Sequence, residues 1–269
     1  MLTLVIRWNP DPAIFNIGNF APRWYSLAFL LGFIIGYYLV KRMYEADKAD
    51  VETLDTLLLY LIMGTVFGAR IGHCLFYEWD YFQDHLLEMI LPVRFEPEFQ
   101  FTGYTGLASH GGLIGVLIAQ WAYCKWVLKK PLIWLLDRIG GPVILVGCFI
   151  RLGNLMNSEI LGHPTDLPWA FIFERVDPLP RHPVQLYEAM AYLIIFFVLH
   201  RLYWTTDIKH KSGRLLGIFT VLLWSARFLL EFFKKEQGGF GDALGVLSTG
   251  QWLSVPLILI GLYFTFRKI

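Results

Sequence analysis

The chain has 269 residues, of which 56% are hydrophobic, 17% aromatic and 17% charged. The charged share lies below the roughly 25% of an average soluble domain, and the apolar residues form long unbroken blocks. A formal net charge of +1 offers no large basic surface, so nucleic acid is not an expected partner. The composition also excludes a disordered chain, a collagen-like chain and a disulfide-knotted secreted module.

Seven apolar blocks are long enough, or nearly so, to cross a bilayer as helices, which takes about 20 residues each. They lie at about residues 24–40, 54–77, 106–128, 132–152, 185–203, 214–233 and 250–267. The first 20 residues include Asn9, Pro10 and Asp11 and no apolar signal core, so we expect the first span to stay in the mature protein. The sequence predicts an all-α membrane protein with seven transmembrane helices, organised as a single polytopic domain over residues 1–269.

The distribution of Lys and Arg between the loops predicts the orientation of the chain. Twelve of these residues fall after spans 1, 3 and 5 and at the C-terminus, and seven fall in the segments on the other side. Because cytoplasmic loops carry the excess of Lys and Arg, we expect the N-terminus outside and the C-terminus in the cytoplasm. The adjacent Lys234 and Lys235 are the exception to this rule.

Two of the predicted outer segments are long. Residues 78–105 are acidic and aromatic, which suits an interfacial segment. Residues 153–184 contain five prolines, and the stretch from Trp169 to Val176 is rich in strand-forming residues. We expect a small folded extracytoplasmic cap, or head, within about residues 153–184.

Polar and ionisable side chains in membrane spans are costly, and they are functional candidates by default. In the predicted orientation the unusual polar residues of six spans fall on the outer side: Tyr25, Arg70, His110, Arg151, Asn154, Glu159, Gln185, Tyr187, Glu188, Arg227 and Glu231. Arginine favours bidentate contact with phosphate or carboxylate. The pattern indicates an outward-facing polar cavity that binds a phospholipid headgroup.

Each of these residues also has a plain structural interpretation. Arg70 is either a snorkelling side chain, a structural partner of an inter-helix carboxylate or part of the site, and His110 is either a core histidine or functional. Arg227 and Glu231 are four residues apart and can simply pair, as Glu188 can with Arg181. Asn154 and Glu159 can be ordinary loop residues. The structural interpretation is plausible for each residue alone and weak for all of them together.

The segment Arg151-Leu-Gly-Asn-Leu-Met-Asn-Ser-Glu-Ile-Leu-Gly162 resembles the signature of the bacterial prolipoprotein diacylglyceryl transferases. Further segments resemble that family in the same order along the chain: Gly68–Gly72, Ser109–Gly115, Arg181–Glu188 and Arg227–Phe233. The likeness runs from about Trp24 to Ser254. Two departures are Ile150, where the signature usually opens with glycine, and Leu223, where a tyrosine is common.

The resemblance implies a seven-span enzyme of the bacterial inner membrane whose active site faces the periplasm. Such enzymes transfer the diacylglyceryl group of phosphatidylglycerol to the lipobox cysteine of a preprolipoprotein signal peptide and release glycerol phosphate. The matching functional positions are His110, Arg151, Asn154, Glu159, Arg227 and Glu231, with Tyr25 and Arg70 beside them. The expected partners are these two substrates and the lipid bilayer.

A mechanism follows as a hypothesis. His110 takes the thiol proton, and Arg151 and Arg227 stabilise the charge that grows on the departing phosphate. Glu231 and Glu159 orient the arginines, while Asn154 donates to a phosphate oxygen. Tyr25, Arg70, Tyr187 and Glu188 are further predicted substrate-binding residues.

The hypothesis needs neither a metal nor a cofactor, and no metal-ligand spacing is apparent. Cys74, Cys124 and Cys148 each lie in an apolar stretch and are expected to be small core residues. The rival interpretations are a transporter, with a site near the bilayer midplane, and a scaffold that holds anionic lipid without reacting.

Overall fold

The architecture is taken from a computed structural model that describes residues 5–18, 20–95, 98–104, 106–235 and 247–267. Within these residues, seven helices are long and apolar enough to cross a membrane, which confirms the predicted fold class. They are α1 (Trp24–Ala46), α2 (Thr53–Phe76), α5 (Ser109–Tyr123, continued by a π-helical turn to Leu128), α6 (Leu132–Asn157), α7 (Val184–Thr205), α8 (Arg214–Leu230) and α9 (Thr249–Phe266). The chain is thus a multi-pass membrane protein.

The chain divides into two compact units, one of Met1–Met43 with Leu136–Ile269 and one of Tyr44–Leu135. The first, called the large unit below, has a core of Met43 and buried residues of α6, α7 and α8, among them Leu145, Tyr192 and Phe196. Burial of this apolar surface inside the unit packs the helices that carry the predicted arginines.

Helix α6 is longer than its apolar block indicates. The sequence predicts an end near residue 152, whereas the helix continues to Asn157. Asn154 and Leu155 in this last part are buried, so tertiary contacts replace the missing apolar character. The extension therefore places Asn154 on the same helix as Arg151.

A small sheet belongs to the large unit and includes part of the predicted cap. Strand β4 (Phe171–Phe173) pairs in parallel with β1 (Ile6–Trp8) and antiparallel with β5 (Pro180–Arg181). Trp8 packs against Phe171 and donates from its indole nitrogen to the Leu155 carbonyl at 2.9 Å. The N-terminal strand, which sequence patterns did not indicate, therefore ties the cap to the end of α6.

The small unit, Tyr44–Leu135, is built on the close pair α2 and α5. A Cβ atom on Gly68 would lie 2.5 Å from the carbonyl oxygen of Gly111, and one on Gly72 would lie 2.6 Å from the Gly111 Cα. These glycines allow the two backbones to touch, as their small-xxx-small spacing predicts. The segment between the helices contains α3 (Trp79–Phe82), α4 (Leu86–Ile90) and a hairpin of β2 (Val93–Arg94) with β3 (Gln100–Phe101).

Candidate active site

The centre of the candidate site is a buried carboxylate shared by two arginines from different helices. Glu188 lies in the second turn of α7 and is 2% exposed. Its Oε2 is 2.9 Å from Nε of Arg151 on α6, and its Oε1 is 3.8 Å from Nη1 of Arg227 on α8. A buried charge needs such partners, because an unpaired one would be strongly unfavourable. The three helices therefore bring the two predicted phosphate ligands to one place.

Glu188 contacts both arginines, a position that the sequence did not predict for it. Arg181, which was considered as its partner, binds Asp177 at 2.5 Å. Substrate binding by Glu188 and orientation of the arginines by Glu159 and Glu231 stay predictions.

Asn154 and Glu159 extend the cluster from Arg151 as a hydrogen-bonded relay. Arg151 Nη1 donates to Asn154 Oδ1 at 3.4 Å, and Asn154 Nδ2 donates to Glu159 Oε2 at 3.1 Å. The other carboxylate oxygen of Glu159 accepts from Asn157 Nδ2 at 3.1 Å. Glu159 is exposed, so this end of the hydrogen-bonded relay is accessible from outside the protein.

The loop that carries Glu159 is held in an unusual backbone conformation. Ser158 and Ile160 have positive φ values of 55° and 58°, which are unfavourable for residues with a side chain, and most of all for β-branched Ile160. The buried Gln185 donates to the carbonyl of Glu159, and Arg175 donates to the Ser158 hydroxyl. Side-chain hydrogen bonds from the cap and from α7 therefore fix the loop.

The two tyrosines predicted to bind substrate have separate surroundings. Tyr25, at the start of α1, packs so closely on α6 that a Cβ atom on Gly153 would be 2.8 Å from its ring. The Tyr187 hydroxyl accepts from Trp169 Nε1 at 2.9 Å and lies 3.3 Å from His182 Nδ1. Tyr25 therefore borders the Arg151–Asn154 turn, and Tyr187 on α7 contacts residues of the cap.

Trp224 and Tyr192 both lie beside the guanidinium group of Arg227. The guanidinium carbon lies 5.7 Å from the Trp224 ring centre, and Nη1 is 3.5 Å from the Tyr192 hydroxyl. These contacts position Arg227 although Leu223 stands in place of the family's tyrosine.

Glu231 follows α8 in a short 3₁₀ turn, Glu231–Phe233. Its carboxylate borders the start of α9, where a Cβ atom on Gly250 would lie 2.7 Å from Oε1. Its Oε2 is 3.8 Å from the ammonium nitrogen of Lys234. Sequence analysis did not identify Lys234 as a candidate site residue. The one signal in the sequence was its position in a predicted outer segment, against the excess of Lys and Arg in cytoplasmic loops.

Arg70 and His110 lie in the small unit and differ in burial. Arg70 is 5% exposed, donates from Nη2 to the Glu88 carbonyl at 2.9 Å and stacks over Phe82 at 4.9 Å. These contacts are to a backbone carbonyl and an aromatic ring within the small unit, and not to the inter-helix carboxylate that the sequence suggested. His110 is exposed in the first turn of α5, so it is not a core histidine. Substrate binding by Arg70 and proton transfer by His110 stay predictions.

The sequence matches the family described as prolipoprotein diacylglyceryl transferase over residues 12–267. Three similar bacterial proteins carry the name phosphatidylglycerol–prolipoprotein diacylglyceryl transferase. The one from Bacteroides fragilis is 45% identical, and the match covers 98% of this chain and 96% of the relative. The one from Chloroherpeton thalassium is 46% identical, covering 98% and 94%, and the one from Tolumonas auensis is 47% identical, covering 96% and 95%.

Proposed function

Because the chain belongs to the prolipoprotein diacylglyceryl transferase family, we propose that it transfers the diacylglyceryl group of phosphatidylglycerol to a preprolipoprotein. The acceptor is the lipobox cysteine thiol of the signal peptide, and the second product is glycerol phosphate. The observation that carries this proposal is the pair of guanidinium groups, Arg151 and Arg227, on the buried carboxylate of Glu188.

The proposed reaction increases the negative charge on a phosphate group. Sulfur attacks the glyceryl carbon, the carbon–oxygen bond to phosphate breaks, and the bonding electron pair stays on the phosphate oxygen. Since the phosphate thereby gains negative charge, positive groups aimed at it favour the transition state over the ground state. Arg151 and Arg227 are suited to this task because guanidinium groups bind phosphate oxygens through several N–H donors.

Preorganisation supports this role for the arginines. Glu188 contacts both guanidinium groups, while Asn154 and Tyr192 contact one each. Groups that are already oriented do not have to reorganise as charge develops. Glu188 is accordingly a positioning residue in this mechanism, and Glu159 acts on Arg151 through Asn154.

The thiol must also lose its proton. A free thiol has a pKa near 8.5, so only a small fraction is thiolate at neutral pH, and a base would increase that fraction. We propose His110 for this role on the chemistry of imidazole and on its exposure. In a His110→Ala variant, transfer at pH 7 should fall by about 100-fold, and a wild-type rate would remove His110 as the base.

The proposed placement in the cell follows the Lys and Arg asymmetry. The protein is expected in the bacterial inner membrane, with its N-terminus and active site toward the periplasm and its C-terminus in the cytoplasm. We also propose that residues 1–269 act as one polytopic domain, with the cap within about 153–184 and an interfacial segment at about 78–105.

The test is transfer by purified protein in phosphatidylglycerol-containing detergent micelles. A synthetic lipobox peptide should gain the mass of one diacylglyceryl group in a thioether, with one glycerol phosphate released per adduct. The matched control is the same peptide with serine in place of the cysteine, which should gain nothing. A protein that binds the lipid but forms no adduct would be the lipid-holding scaffold instead, and that outcome would overturn the proposal.

A further inference from the structure

Lys234 is a buried cation next to the candidate site. Only 9% of its side chain is exposed, whereas the neighbouring Lys235 is exposed. Long-chain lysines are rarely buried unless they are paired. The two lysines that together break the charge rule therefore have different surroundings, and only the first needs an explanation within the protein.

The backbone holds Lys234 in place from two sides. Its N–H donates to the Glu231 carbonyl at 3.2 Å, which ends the 3₁₀ turn after α8. Lys234 then pairs with Gly162 across an antiparallel bridge, flanked by hydrogen bonds from His163 to Phe233 at 2.9 Å and from Lys235 to Leu161 at 3.0 Å. A segment that follows α8 is thus joined to the loop that follows α6 and contains Glu159.

The ammonium group belongs electrostatically to the arginine cluster. Burial lowers the pKa of Lys234, and the carboxylates of Glu188 and Glu231 raise it. The guanidinium groups of Arg227 and Arg151 lower it further. The Lys234 Nζ also lies 3.8 Å from Glu231 Oε2, and this contact joins the lysine to the charged groups around the arginines.

Lys234 adds a third cationic side chain to the arginine cluster. Among the residues that the structure describes, Arg151 and Arg227 lie beside the buried carboxylate of Glu188, and the ammonium group of Lys234 lies beside the carboxylate of Glu231. The carboxylate of Glu159 is exposed at the far end of the hydrogen-bonded chain and accepts hydrogen bonds from two asparagine amides.

We propose that Lys234 is the third cation of the phosphate-binding site and that its ammonium group binds the phosphodiester of the lipid substrate. This inference rests on the proposed function and names a substrate-binding residue for that reaction. As the carbon–oxygen bond breaks, the phosphate passes from one negative charge toward two, while the thiol proton goes to a base. A third cation at the site therefore stabilises the end of the reaction more than its start.

The experiment measures transfer kinetics for Lys234→Met and Lys234→Gln, with phosphatidylglycerol and lipobox peptide varied separately. Loss of a charged hydrogen bond corresponds to about 1.5–3 kcal/mol, or roughly a 10- to 150-fold fall in kcat/KM for phosphatidylglycerol. The KM for the peptide should stay within about twofold. Inhibition by added glycerol phosphate should weaken by a similar factor, because the product presents the same phosphate.

Two control variants separate binding from structure. Lys235→Met removes an adjacent exposed charge and should behave as wild type, and Lys234→Arg keeps the charge and should recover most of kcat/KM. Wild-type kcat/KM for phosphatidylglycerol in both neutral variants would overturn the inference. So would an equal fall for both substrates that Lys234→Arg does not rescue, since that result indicates a structural role. A wild-type protein that forms no thioether product would instead refute the proposed function.

Discussion

The large and the small unit each bury a glutamate that contacts arginine, but the two sets of contacts differ. In the small unit, Glu88 accepts hydrogen bonds from the Phe95 N–H and the Tyr81 hydroxyl, both at 2.7 Å, and Arg70 donates to a backbone carbonyl. In the large unit, Glu188 lies between two guanidinium groups, and within the described part of the chain its Oε2 makes no hydrogen bond despite the 2.9 Å approach of Arg151.

The difference bears on the proposed binding site. The Glu88 carboxylate has a neutral donor on each oxygen, as expected of a structural carboxylate. Two guanidinium groups around Glu188 offer more N–H donors than one carboxylate can accept, so donor capacity is left for an anion. The two buried carboxylates thus differ in how many N–H donors of the neighbouring side chains stay available to a ligand.

The largest expected effect comes from breaking the arginine cluster. Arg151→Ala or Arg227→Ala should lower transfer by about 100-fold or more, since each removes donors to the developing phosphate charge. Detergent-solubilised yield and the elution profile on size exclusion should stay near those of wild type. Arg7→Ala is the matched control, because that side chain is 79% exposed and pairs only at the surface with Glu174. Wild-type turnover in either cluster variant would contradict the phosphate-binding role.

The second prediction concerns the contacts of Arg70 in the small unit. Arg70→Met should lower the unfolding temperature by several degrees, because it removes a buried charged hydrogen bond and the stacking on Phe82. Transfer per folded molecule should change by less than about fivefold. The measurement is thermal unfolding in detergent beside the transfer assay. An unchanged unfolding temperature with lost transfer would place Arg70 among the substrate-binding residues, as the sequence predicts.

A third prediction sharpens the comparison through pH. Burial would raise the pKa of Glu88, but hydrogen bonds from Phe95 and Tyr81 prevail and hold it below its ordinary value of 4.5. Ionised Glu88 therefore contributes stability that is fully present above about pH 4.5 and is lost as the pH falls through the lowered pKa.

The variant for this test is Glu88→Gln. At pH 7 its unfolding temperature should lie a few degrees below that of wild type, and the difference should shrink at pH 4 and below. The exposed-pair variant Glu174→Gln should show little difference at either pH. A gap that stays constant from pH 7 to pH 3 would mean that the charge of Glu88 does not contribute.

The smallest effect is expected for the cysteines. Cys74, Cys124 and Cys148 are free and buried, and the acceptor thiol in the proposed reaction arrives on the substrate peptide. A variant with alanine at all three positions should keep wild-type kcat per folded molecule, with a modest loss of stability from the smaller side chains. Abolished transfer in a folded variant would indicate a covalent step on the protein instead.

Composition and periodicity were sufficient to predict the membrane spans, because a run of about 20 apolar residues forms few structures other than a transmembrane helix. They were insufficient where long-range contacts decide the structure. The end of α6 extends past residue 152 since Asn154 is buried against partners, and β1 is a strand because Phe171–Phe173 lies beside it. Neither condition can be read from the local sequence.

Prediction of the candidate site shows the same division. Arg151, Arg227 and Glu188 were identifiable as polar residues on apolar helices, which is a local property. The shared position of Glu188 between the arginines depends on the packing of three helices, and the burial of Lys234 depends on its pairing with Gly162. Sequence analysis therefore identified most residues of the cluster, but it did not predict which of them form ion pairs with one another.

The parallel pairing of β1 with β4 has a consequence for biosynthesis. Ile6 pairs with Phe171 and Trp8 with Phe173, so the first strand has no partner until more than 160 further residues have been made. The cap that includes this strand can close only after four helices have entered the membrane. Because Trp8 also donates to Leu155 on the helix that carries Arg151, completion of the arginine cluster is expected to be a late step in folding. A bulky fusion at the N-terminus would interfere with maturation of the enzyme rather than with its insertion.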